Sequence, residues 1–428
     1  MTNTPQPPAG IPSYFALGVG AGPSNLSLAA LFQHATSERI ALFESQPGPA
    51  WHNTLIHPGV RMQTSWLKDL VSLVEPRHEL TFLNYLVTEG RLYALLNAQF
   101  DVIPRMEYVR YLQWAAEKLP DIHYNATVDK ISFGDGGFTV YSAGRAMAHG
   151  EHLVIGMGTR PFIPPELSGL LDERAFIADE LSHRLDAMRA DLDAPVAVVG
   201  GRQTGFEATM KLLEEGFTAI TWYGRRLWFD SIDDSPNAND IYRPAHLEAL
   251  LRMSPDTRRR VTTDIYHTGD GLTPGGLQWL YQANYDRMLQ LGRFPLILCP
   301  GRDVVSSAVD GEDIVLTCQT PEKIEHHRTR HVVIATGREN TPIPFDDDLR
   351  SRVEMGEDGE VVVEDDFSLG WKGMNGHQIY ALNRARATHG LTDANVTLLP
   401  VRAAIVMNSM FDREVYQVRD YLCPVDWG

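Results

Sequence analysis

The sequence predicts an α/β fold of two Rossmann-like dinucleotide-binding domains with a small helical insertion. Two segments share one local plan, in which an apolar strand, a glycine-rich turn and an apolar-periodic helix lead into a second strand. The first unit covers residues 14–44 and the second 196–223, so their starts lie about 180 residues apart. From 226 to 291 the pattern becomes irregular and then helical. We therefore expect two parallel sheets covered by helices, with a helical piece inserted into the second domain.

The remaining elements divide the chain between these two domains. A helix is predicted over 106–119, and two strands of a meander follow at 128–133 and 137–141. Buried strands are predicted at 153–158 and 331–337, and each ends in a glycine-containing crossing between the domains. We assign 10–165 and 337–428 to the first domain, 190–228 and 294–336 to the second, and 229–293 to the insertion.

The composition limits the class of protein. The 428 residues carry a formal net charge of −17, which argues against nucleic acid or an anionic membrane as a partner, since both attract basic surfaces. The three cysteines include no CxxC pair, which argues against a disulfide framework, a structural zinc and a dithiol redox centre. The 15 histidines show no metal-ligand spacing, and His326 and His327 are expected in a solvated turn. Without a secretory signal or a run of about 18 apolar residues, we expect a cytoplasmic protein.

The first glycine turn has the features of a dinucleotide site. Gly18 permits a tight turn, Gly20 lets the backbone approach a pyrophosphate, and the helix that follows offers free N–H groups. Pro23 replaces the third glycine of the usual fingerprint and suits the first turn of a helix. Glu44 ends the second strand, where an acid accepts hydrogen bonds from an adenosine ribose. The residues predicted at this site are Gly18, Gly20, Gly22, Pro23, Ser24, Asn25 and Glu44.

The second glycine turn departs from the fingerprint because Arg202 occupies the middle glycine. A side chain there either crowds the pyrophosphate or swings aside and donates charge-assisted hydrogen bonds to it. Arg225 and Arg226 follow the next strand, where an NAD site would place an acid, so the sequence favours the 2′-phosphate of NADP. The residues predicted at this site are Gly200, Gly201, Arg202, Gln203, Thr204, Arg225 and Arg226.

Two dinucleotide sites in one chain indicate electron transfer from a nicotinamide to a flavin. Disulfide reductases need a CxxC pair beside the flavin, which this chain lacks. Baeyer–Villiger and sulfur oxygenases carry an FxGxxxHxxxW pattern between the two turns, which is also absent. Reductases with external acceptors and other oxygen-using monooxygenases remain, and the residues discussed so far do not separate them.

Longer sequence motifs distinguish between reductases with external acceptors and oxygen-using monooxygenases. The chain contains GVGAGPSNL at 18–26, MQTSWLKDLV at 62–71, ATG at 335–337 and THGL at 388–391. Together with Trp51-His52 and the segment 396–404, these motifs resemble the flavin-dependent N-hydroxylating monooxygenases of siderophore biosynthesis, the lysine, ornithine and diamine N-hydroxylases. The resemblance runs over nearly the whole chain. It implies FAD in the first domain, NADPH in the second and a substrate-binding role for the helical insertion.

The resemblance also implies roles for individual residues. Gln63 matches a glutamine near the flavin, and Lys68 matches a lysine that holds the substrate carboxylate. Asn239 matches an asparagine that contacts substrate and nicotinamide, and Thr397 a hydroxyl-bearing residue near flavin and substrate. We therefore expect Gln63, Asn239 and Thr397 to be catalytic, and Lys68, Asn239, Gly269 and Thr397 to bind substrate. Further cofactor contacts are expected from Trp51, His52, Gln63, Arg105, Ala335, Thr336 and Gly337.

Three positions depart from the family pattern. Besides Arg202, Arg338 follows the ATG motif where tyrosine is usual, and Gly269 stands where the ornithine enzymes place an asparagine that helps bind the carboxylate. The sequence therefore favours lysine, cadaverine or putrescine as substrate, with L-ornithine N5-hydroxylation as the alternative. An alternative of another class, which Arg202 supports, is a flavin-binding protein whose degenerate nicotinamide site leaves it to be reduced by a partner.

The resemblance implies a reaction as well. NADPH reduces FAD, O2 converts the reduced flavin to a C4a-hydroperoxyflavin, and bound NADP+ shields this species from water. The terminal amine of lysine or an aliphatic diamine then attacks the distal oxygen, which gives a hydroxylamine for hydroxamate siderophores. Because such an amine has a pKa of about 10.4 in water, the site must desolvate it or remove its proton. The implied partner is thus a small cationic amine or amino acid, and analogy adds a homotetramer.

Overall fold

The computed structural model of this chain describes residues 10–49, 51, 55–56, 60–100, 102–393, 395–418, 420 and 422–427. The strands are β1 (Ser13–Val19), β2 (Ile40–Phe43), β3 (Ile122–His123), β4 (Lys130–Gly134), β5 (Gly137–Ser142), β6 (Arg145–Ile155), β7 (Thr159–Pro161), β8 (Ala175–Ile177), β9 (Val196–Val199), β10 (Ile220–Gly224), β11 (Leu296–Pro300), β12 (Asp303–Asp310), β13 (Asp313–Gln319), β14 (Ile324–Thr329), β15 (His331–Ile334), β16 (Arg338–Asn340) and β17 (Ile379–Ala381). The α-helices are α1 (Pro23–Ala35), α2 (Phe82–Thr88), α3 (Leu92–Ala98), α4 (Arg105–Ala116), α5 (Pro165–Ser168), α6 (Leu181–Met188), α7 (Gln203–Glu214), α8 (Pro236–Asn239), α9 (Pro244–Arg252), α10 (Pro255–Asp264), α11 (Pro274–Leu291), α12 (Asp347–Arg352), α13 (Arg386–His389) and α14 (Leu399–Met410).

The first glycine unit lies in a seven-stranded sheet of order β3-β2-β1-β6-β5-β4, with β17 also paired to β6. Strand β1 runs parallel to both β2 and β6, which places Ala16 opposite Ile40 on one side and His152 on the other. The predicted strand at 153–158 is only the end of β6, an eleven-residue strand whose first part pairs antiparallel with β5. The predicted meander therefore joins the parallel core in a single mixed sheet.

The second glycine unit lies in a five-stranded parallel sheet of order β11-β10-β9-β15-β8. Every residue of β9 is buried, as expected for a parallel strand covered on both faces. Helices α6 and α7 contribute the apolar side chains on one face. The other face packs on the antiparallel sheet β12-β13-β14, so the expected cover of helices is present on one face and a second sheet covers the other. Strand β13 can replace a helix because its alternate side chains Ile314, Leu316 and Cys318 are all buried against the parallel sheet.

Three further details differ from the sequence expectation. His326 and His327 lie within β14 and not in a turn, because β14 pairs with β13 across six residues. Strand β8, in a stretch that the sequence left unassigned, forms an edge of the second sheet. Helix α11 falls inside the predicted insertion 229–293, yet it packs through Leu277 and Leu280 on the core of the second sheet. The helices that stand apart from that sheet are α8, α9 and α10.

The first glycine unit and the helices α9 and α10 contact the C-terminal part of the chain. Helix α13 contacts both α9 and α10, and α14 packs on α1 of the first unit. Strands β7 and β16 pair antiparallel where the chain passes between the sheets, which matches the position of the two predicted crossings. Among the described helices, none is long and apolar enough to cross a membrane.

Candidate active site

The first glycine turn is shaped by a buried side chain. Asn25 donates from Nδ2 to the carbonyl oxygens of Val19 and Gly20 at 3.2 and 2.7 Å, and its side chain is fully buried. Gly20 has a φ of 91°, and a Cβ there would lie 2.5 Å from the carbonyl oxygen of Gly156. Both the backbone angle and this close contact require glycine.

Helix α1 begins at this turn without a capping side chain. Gly22 is the N-cap residue, and a Cβ placed on it would meet no atom within 4 Å. The N–H groups of Ser24 and Asn25 have no acceptor within the helix because they belong to its first turn. At the end of β2, the carboxylate of Glu44 accepts a hydrogen bond from the Ala21 N–H at 2.9 Å and so braces the turn. An uncapped helix N-terminus beside open space suits a diphosphate.

The second glycine turn has the same form, with one added ion pair. Gly200 has a φ of 136°, and a side chain there would collide with the carbonyl of Ala335. Arg202 is the N-cap residue of α7 but provides no side-chain cap. Its guanidinium instead forms an ion pair with Asp270, which follows α10. Burial lowers the pKa of Arg202, and neighbouring arginines, Arg226 first among them, lower it further.

A groove of about 640 Å³ crosses the carboxyl ends of β9, β10 and β15. Arg225 faces it with no hydrogen-bond or ion-pair partner among the described residues, whereas Arg226 pairs with Asp230. The groove brings together eight predicted residues: Gly200, Gly201, Arg202, Arg225, Arg226, Ala335, Thr336 and Gly337. We refer to it as the nucleotide groove.

The central cleft, a cavity of about 290 Å³, lies between the segment 51–64, the start of α4, the second glycine unit, the inserted helices and the C-terminal segment. Six predicted residues line it, namely Trp51, Gln63, Arg105, Gln203, Thr204 and Gly269. They come from four separate parts of the chain. The tertiary structure thus unites side chains from the MQTSWLKDLV motif, the second glycine turn and the insertion in one cavity.

One ion pair joins the two Rossmann-like units across this cleft. Arg105, at the start of α4, donates to both carboxylate oxygens of Glu207 in α7, at 2.8 and 2.6 Å. Only 11% of the Arg105 side chain and 3% of the Glu207 side chain are exposed. Gln203, one helical turn before Glu207, donates to the same carboxylate at 2.9 Å. Glu207 therefore fixes two of the predicted cofactor contacts at once.

The predicted residues of the first glycine turn and Glu44 are not among the described residues that line either cavity, and four other predicted residues are not among them either. Lys68 is half-buried and its ammonium has no partner within the described part of the chain; burial lowers its pKa. Asn239 is exposed and donates from Nδ2 to the backbone carbonyls just before α8. Thr397 is buried, and its hydroxyl has no hydrogen-bond partner among the residues that the structure describes. His52 lies outside the described residues.

The sequence analysis did not single out several residues of the central cleft. Glu207 lies four residues after Gln203, a spacing that places both side chains on one face of a helix, so the motif could have been extended to it. Arg386 stands just before the THGL motif and also lines the cleft, as do Tyr242 and Asn395. Among the described residues, no group of three His, Cys, Asp or Glu side chains is placed to hold a metal ion.

Two Rossmann-like units that share a cleft define the class of oxidoreductases with two dinucleotide sites. Thioredoxin reductase from T. acidophilum has this fold at a TM-score of 0.54 and 14% identity, over 94% of this chain and 98% of that chain. The model of one family, L-lysine 6-monooxygenase/L-ornithine 5-monooxygenase, matches residues 13–340.

Individual relatives agree with that match. The chain is 30% identical over 421 residues to the L-lysine N6-monooxygenase of Escherichia coli, covering 96% of this chain and 97% of the relative. It is 26% identical to the putrescine N-hydroxylase of Acinetobacter baumannii, with 95% and 91% covered. The FAD-bound cadaverine monooxygenase DfoA of Erwinia amylovora superposes with a TM-score of 0.88 at 22% identity, over 96% and 97% of the two chains. This chain therefore belongs to the L-lysine 6-monooxygenase/L-ornithine 5-monooxygenase family and is a flavin-dependent N-hydroxylating monooxygenase, which confirms the family predicted from its motifs.

Proposed function

We propose that this enzyme uses FAD, NADPH and O2 to hydroxylate the terminal primary amine of lysine or an aliphatic diamine for hydroxamate siderophore biosynthesis. The observation that carries the proposal is the convergence in the central cleft of Gln63, Gln203, Thr204 and Gly269, which come from distant motifs. Relatives named for lysine, putrescine and cadaverine support the choice of substrate. Gly269, which offers no side chain for a carboxylate, makes ornithine the less favoured substrate.

Both cofactors fit the residues that are present. The uncapped N-terminus of α1, with open space at Gly22, fits the diphosphate of FAD. The nucleotide groove, with the unpartnered Arg225 guanidinium, fits the 2′-phosphate of NADPH. We accordingly propose FAD for 10–165 and 337–428, NADPH for 190–228 and 294–336, and substrate contacts for the inserted helices within 229–293. Trp51, His52 and Arg105 are proposed as further cofactor contacts.

The residues of the chain have three tasks in this proposal. The flavin, when reduced and supplied with O2, provides the oxygen atom. Gln63, Asn239 and Thr397 would orient the amine, and the buried Thr397 hydroxyl, which has no partner among the described residues, could accept a hydrogen bond from it. Lys68 would hold a substrate carboxylate, since its half-buried ammonium has no other partner among the described residues. The buried apolar side chains in the cleft wall, Leu55, Met62 and Leu391, would help to exclude water.

The test is a substrate screen with the purified enzyme, FAD, NADPH and O2, in which hydroxylamine is measured directly. We expect hydroxylamine from lysine or from one of the diamines cadaverine, putrescine and diaminopropane, and less from ornithine. Peroxide alone with all five compounds would show that the proposed substrates are wrong. Anaerobic stopped-flow mixing adds an independent check, because a flavin that millimolar NADPH fails to reduce would indicate a degenerate nicotinamide site. Cytoplasmic location and a homotetramer are proposed by analogy with the family.

A further inference from the structure

The charges that face the central cleft are unevenly matched. Among the described lining residues, two are acidic, Asp179 and Glu207. Asp179 accepts a hydrogen bond from Arg338 at 3.0 Å, and Glu207 forms the buried pair with Arg105. Each carboxylate is therefore already neutralised by an arginine. Arg386 lines the same cavity, and its guanidinium has no hydrogen-bond, ion-pair or ring partner within the described part of the chain.

Arg386 is carried on a braced piece of backbone. The N–H of the preceding residue, Ala385, donates to the carboxylate of Asp393 at 2.9 Å. Asp393 in turn lies 3.7 Å from Arg402, and only 2% and 3% of these two side chains are exposed. Thr388, one helical turn away from Ala385, donates its hydroxyl to the Val363 carbonyl at 2.7 Å. A cation held on a rigid backbone loses less conformational entropy when it binds a ligand.

At Gly269, in the same cleft as Arg386, there is little room for a side chain. Tyr242, Gly269 and Leu391 line the same cleft. A Cβ on Gly269 would lie 3.0 Å from the Tyr242 hydroxyl and 3.4 Å from Leu391. Burial raises the pKa of Tyr242 and the positive charge of Arg386 acts against this, so the guanidinium is within electrostatic reach of the phenol. On this side of the cleft, Arg386 is the charged group available to a ligand.

Building on the proposed function, we propose that Arg386, together with Lys68, binds the substrate carboxylate, so that the substrate is an amine with a carboxylate at its far end, as in lysine, and not a free diamine. A guanidinium matches a carboxylate in a bidentate geometry. A diamine would bring a second ammonium into the cleft, where both described carboxylates already pair with arginines. The positive charge of Arg386 would repel that ammonium.

A cofactor phosphate is the other anion that Arg386 could meet. The nucleotide groove, where Gly200, Gly201 and Arg202 of the second glycine turn lie, is also lined by Arg225, Arg226, Arg302 and Arg338 but not by Arg386. The central cleft is the cavity that Arg386 faces, together with Gln63 and Gly269. This placement favours the substrate as the source of the anion, and the experiment below separates the two sources.

The first experiment compares three amines of similar length: lysine, cadaverine, which is lysine without the carboxylate, and 6-aminohexanoate, which is lysine without the α-amine. We expect kcat/KM for hydroxylamine formation to be about 10- to 100-fold higher with lysine than with cadaverine, the range for one lost charge-assisted interaction. 6-Aminohexanoate should lie nearer to lysine. Equal or better turnover of cadaverine would overturn the proposal.

The second experiment uses variants of the cleft arginine. Arg386→Gln should raise KM for lysine and 6-aminohexanoate by about 10- to 100-fold, leave cadaverine unchanged or improved, and leave KM for NADPH and anaerobic flavin reduction unchanged. Arg386→Lys should restore part of the loss. Arg260→Gln, which removes an exposed arginine of α10 outside the cleft, is the matched control and should behave as wild type.

The outcomes distinguish the two proposals. If Arg386→Gln impairs all three amines alike, or if it raises KM for NADPH, the carboxylate role is wrong, and the latter result assigns Arg386 to a cofactor phosphate. If none of the amines yields hydroxylamine, the proposed function fails. In that case the role of Arg386 is tested by calorimetry, in which the affinity for lysine is measured with the enzyme that carries FAD and NADP+. Weaker binding of lysine in Arg386→Gln, with cadaverine unaffected, supports it, and equal binding by both proteins refutes it.

Discussion

Replacing Glu207 with alanine tests whether the Arg105–Glu207 pair joins the two Rossmann-like units. In the native protein each guanidinium nitrogen of the pair has its own carboxylate oxygen, at 2.8 and 2.6 Å, and Gln203 adds a third hydrogen bond at 2.9 Å. The substitution leaves the Arg105 guanidinium, 11% exposed, without its counter-charge. Removing one partner of a buried pair costs about 3–5 kcal/mol, since the remaining charge stays desolvated. Glu207→Gln keeps the volume and one acceptor, so we expect a smaller loss.

The assay is urea unfolding of the FAD-loaded enzyme followed by tryptophan fluorescence. The control is Glu339→Ala, which breaks the Arg160–Glu339 pair between β16 and β7, where 55% and 41% of the side chains are exposed. An exposed pair of this kind contributes about 0–1 kcal/mol. Anaerobic reduction by NADPH should also slow in Glu207→Ala, because Arg105 and Gln203 both lose their anchor. If Glu207→Ala destabilises the protein no more than Glu339→Ala does, the reasoning is refuted.

Three further predictions concern the nucleotide groove and the response to pH. Arg225→Ala should raise KM for NADPH by about 10-fold or more and reduce the preference for NADPH over NADH in a steady-state assay. Arg226→Ala should have a smaller effect in the same assay, because Arg226 is already paired with Asp230. A larger effect of Arg226→Ala than of Arg225→Ala would contradict the assignment. Asp270→Asn should lower KM for NADPH, because it releases the Arg202 guanidinium at the second glycine turn, and a raised KM would argue against this. The free energy of unfolding should fall as the pH is lowered from 6.5 to about 4. Burial lowers the pKa of three histidines to about 4, so in this range the unfolded chain binds more protons than the folded chain. Equal urea midpoints at pH 7 and pH 5 would contradict this prediction. These histidines are His152, His246 and His389.

The parts of the fold that depend on local pattern could be predicted from the sequence. The strand preceding each glycine turn, the helix after it and the strand beyond were all placed correctly, because apolar periodicity and glycine position are properties of neighbouring residues. The sheet β12-β13-β14 was missed, although β13 alternates between buried and less buried positions. The residues near β13 in sequence do not indicate that its buried face packs on a parallel sheet, because helices usually cover such sheets.

The site divides in the same way. Sequence motifs identified Gln63, Gln203 and Thr204, and the structure places all three in the central cleft. The roles of Lys68, Asn239 and Thr397 remain predictions. The charge partners could not be predicted, because Arg105 and Glu207 are 102 residues apart in sequence.

The sequence by itself determined the two glycine turns, the family and the candidate residues, since each depends on side chains that are close in the chain or on motifs long enough to be specific. Only the tertiary structure decided which charges are paired. Arg202 is joined to Asp270, and both described acids of the central cleft are neutralised. Arg386 faces the central cleft with no hydrogen-bond or ion-pair partner among the described residues. The physical reason is that Coulomb and hydrogen-bond interactions depend on separation in space, which chain order does not specify.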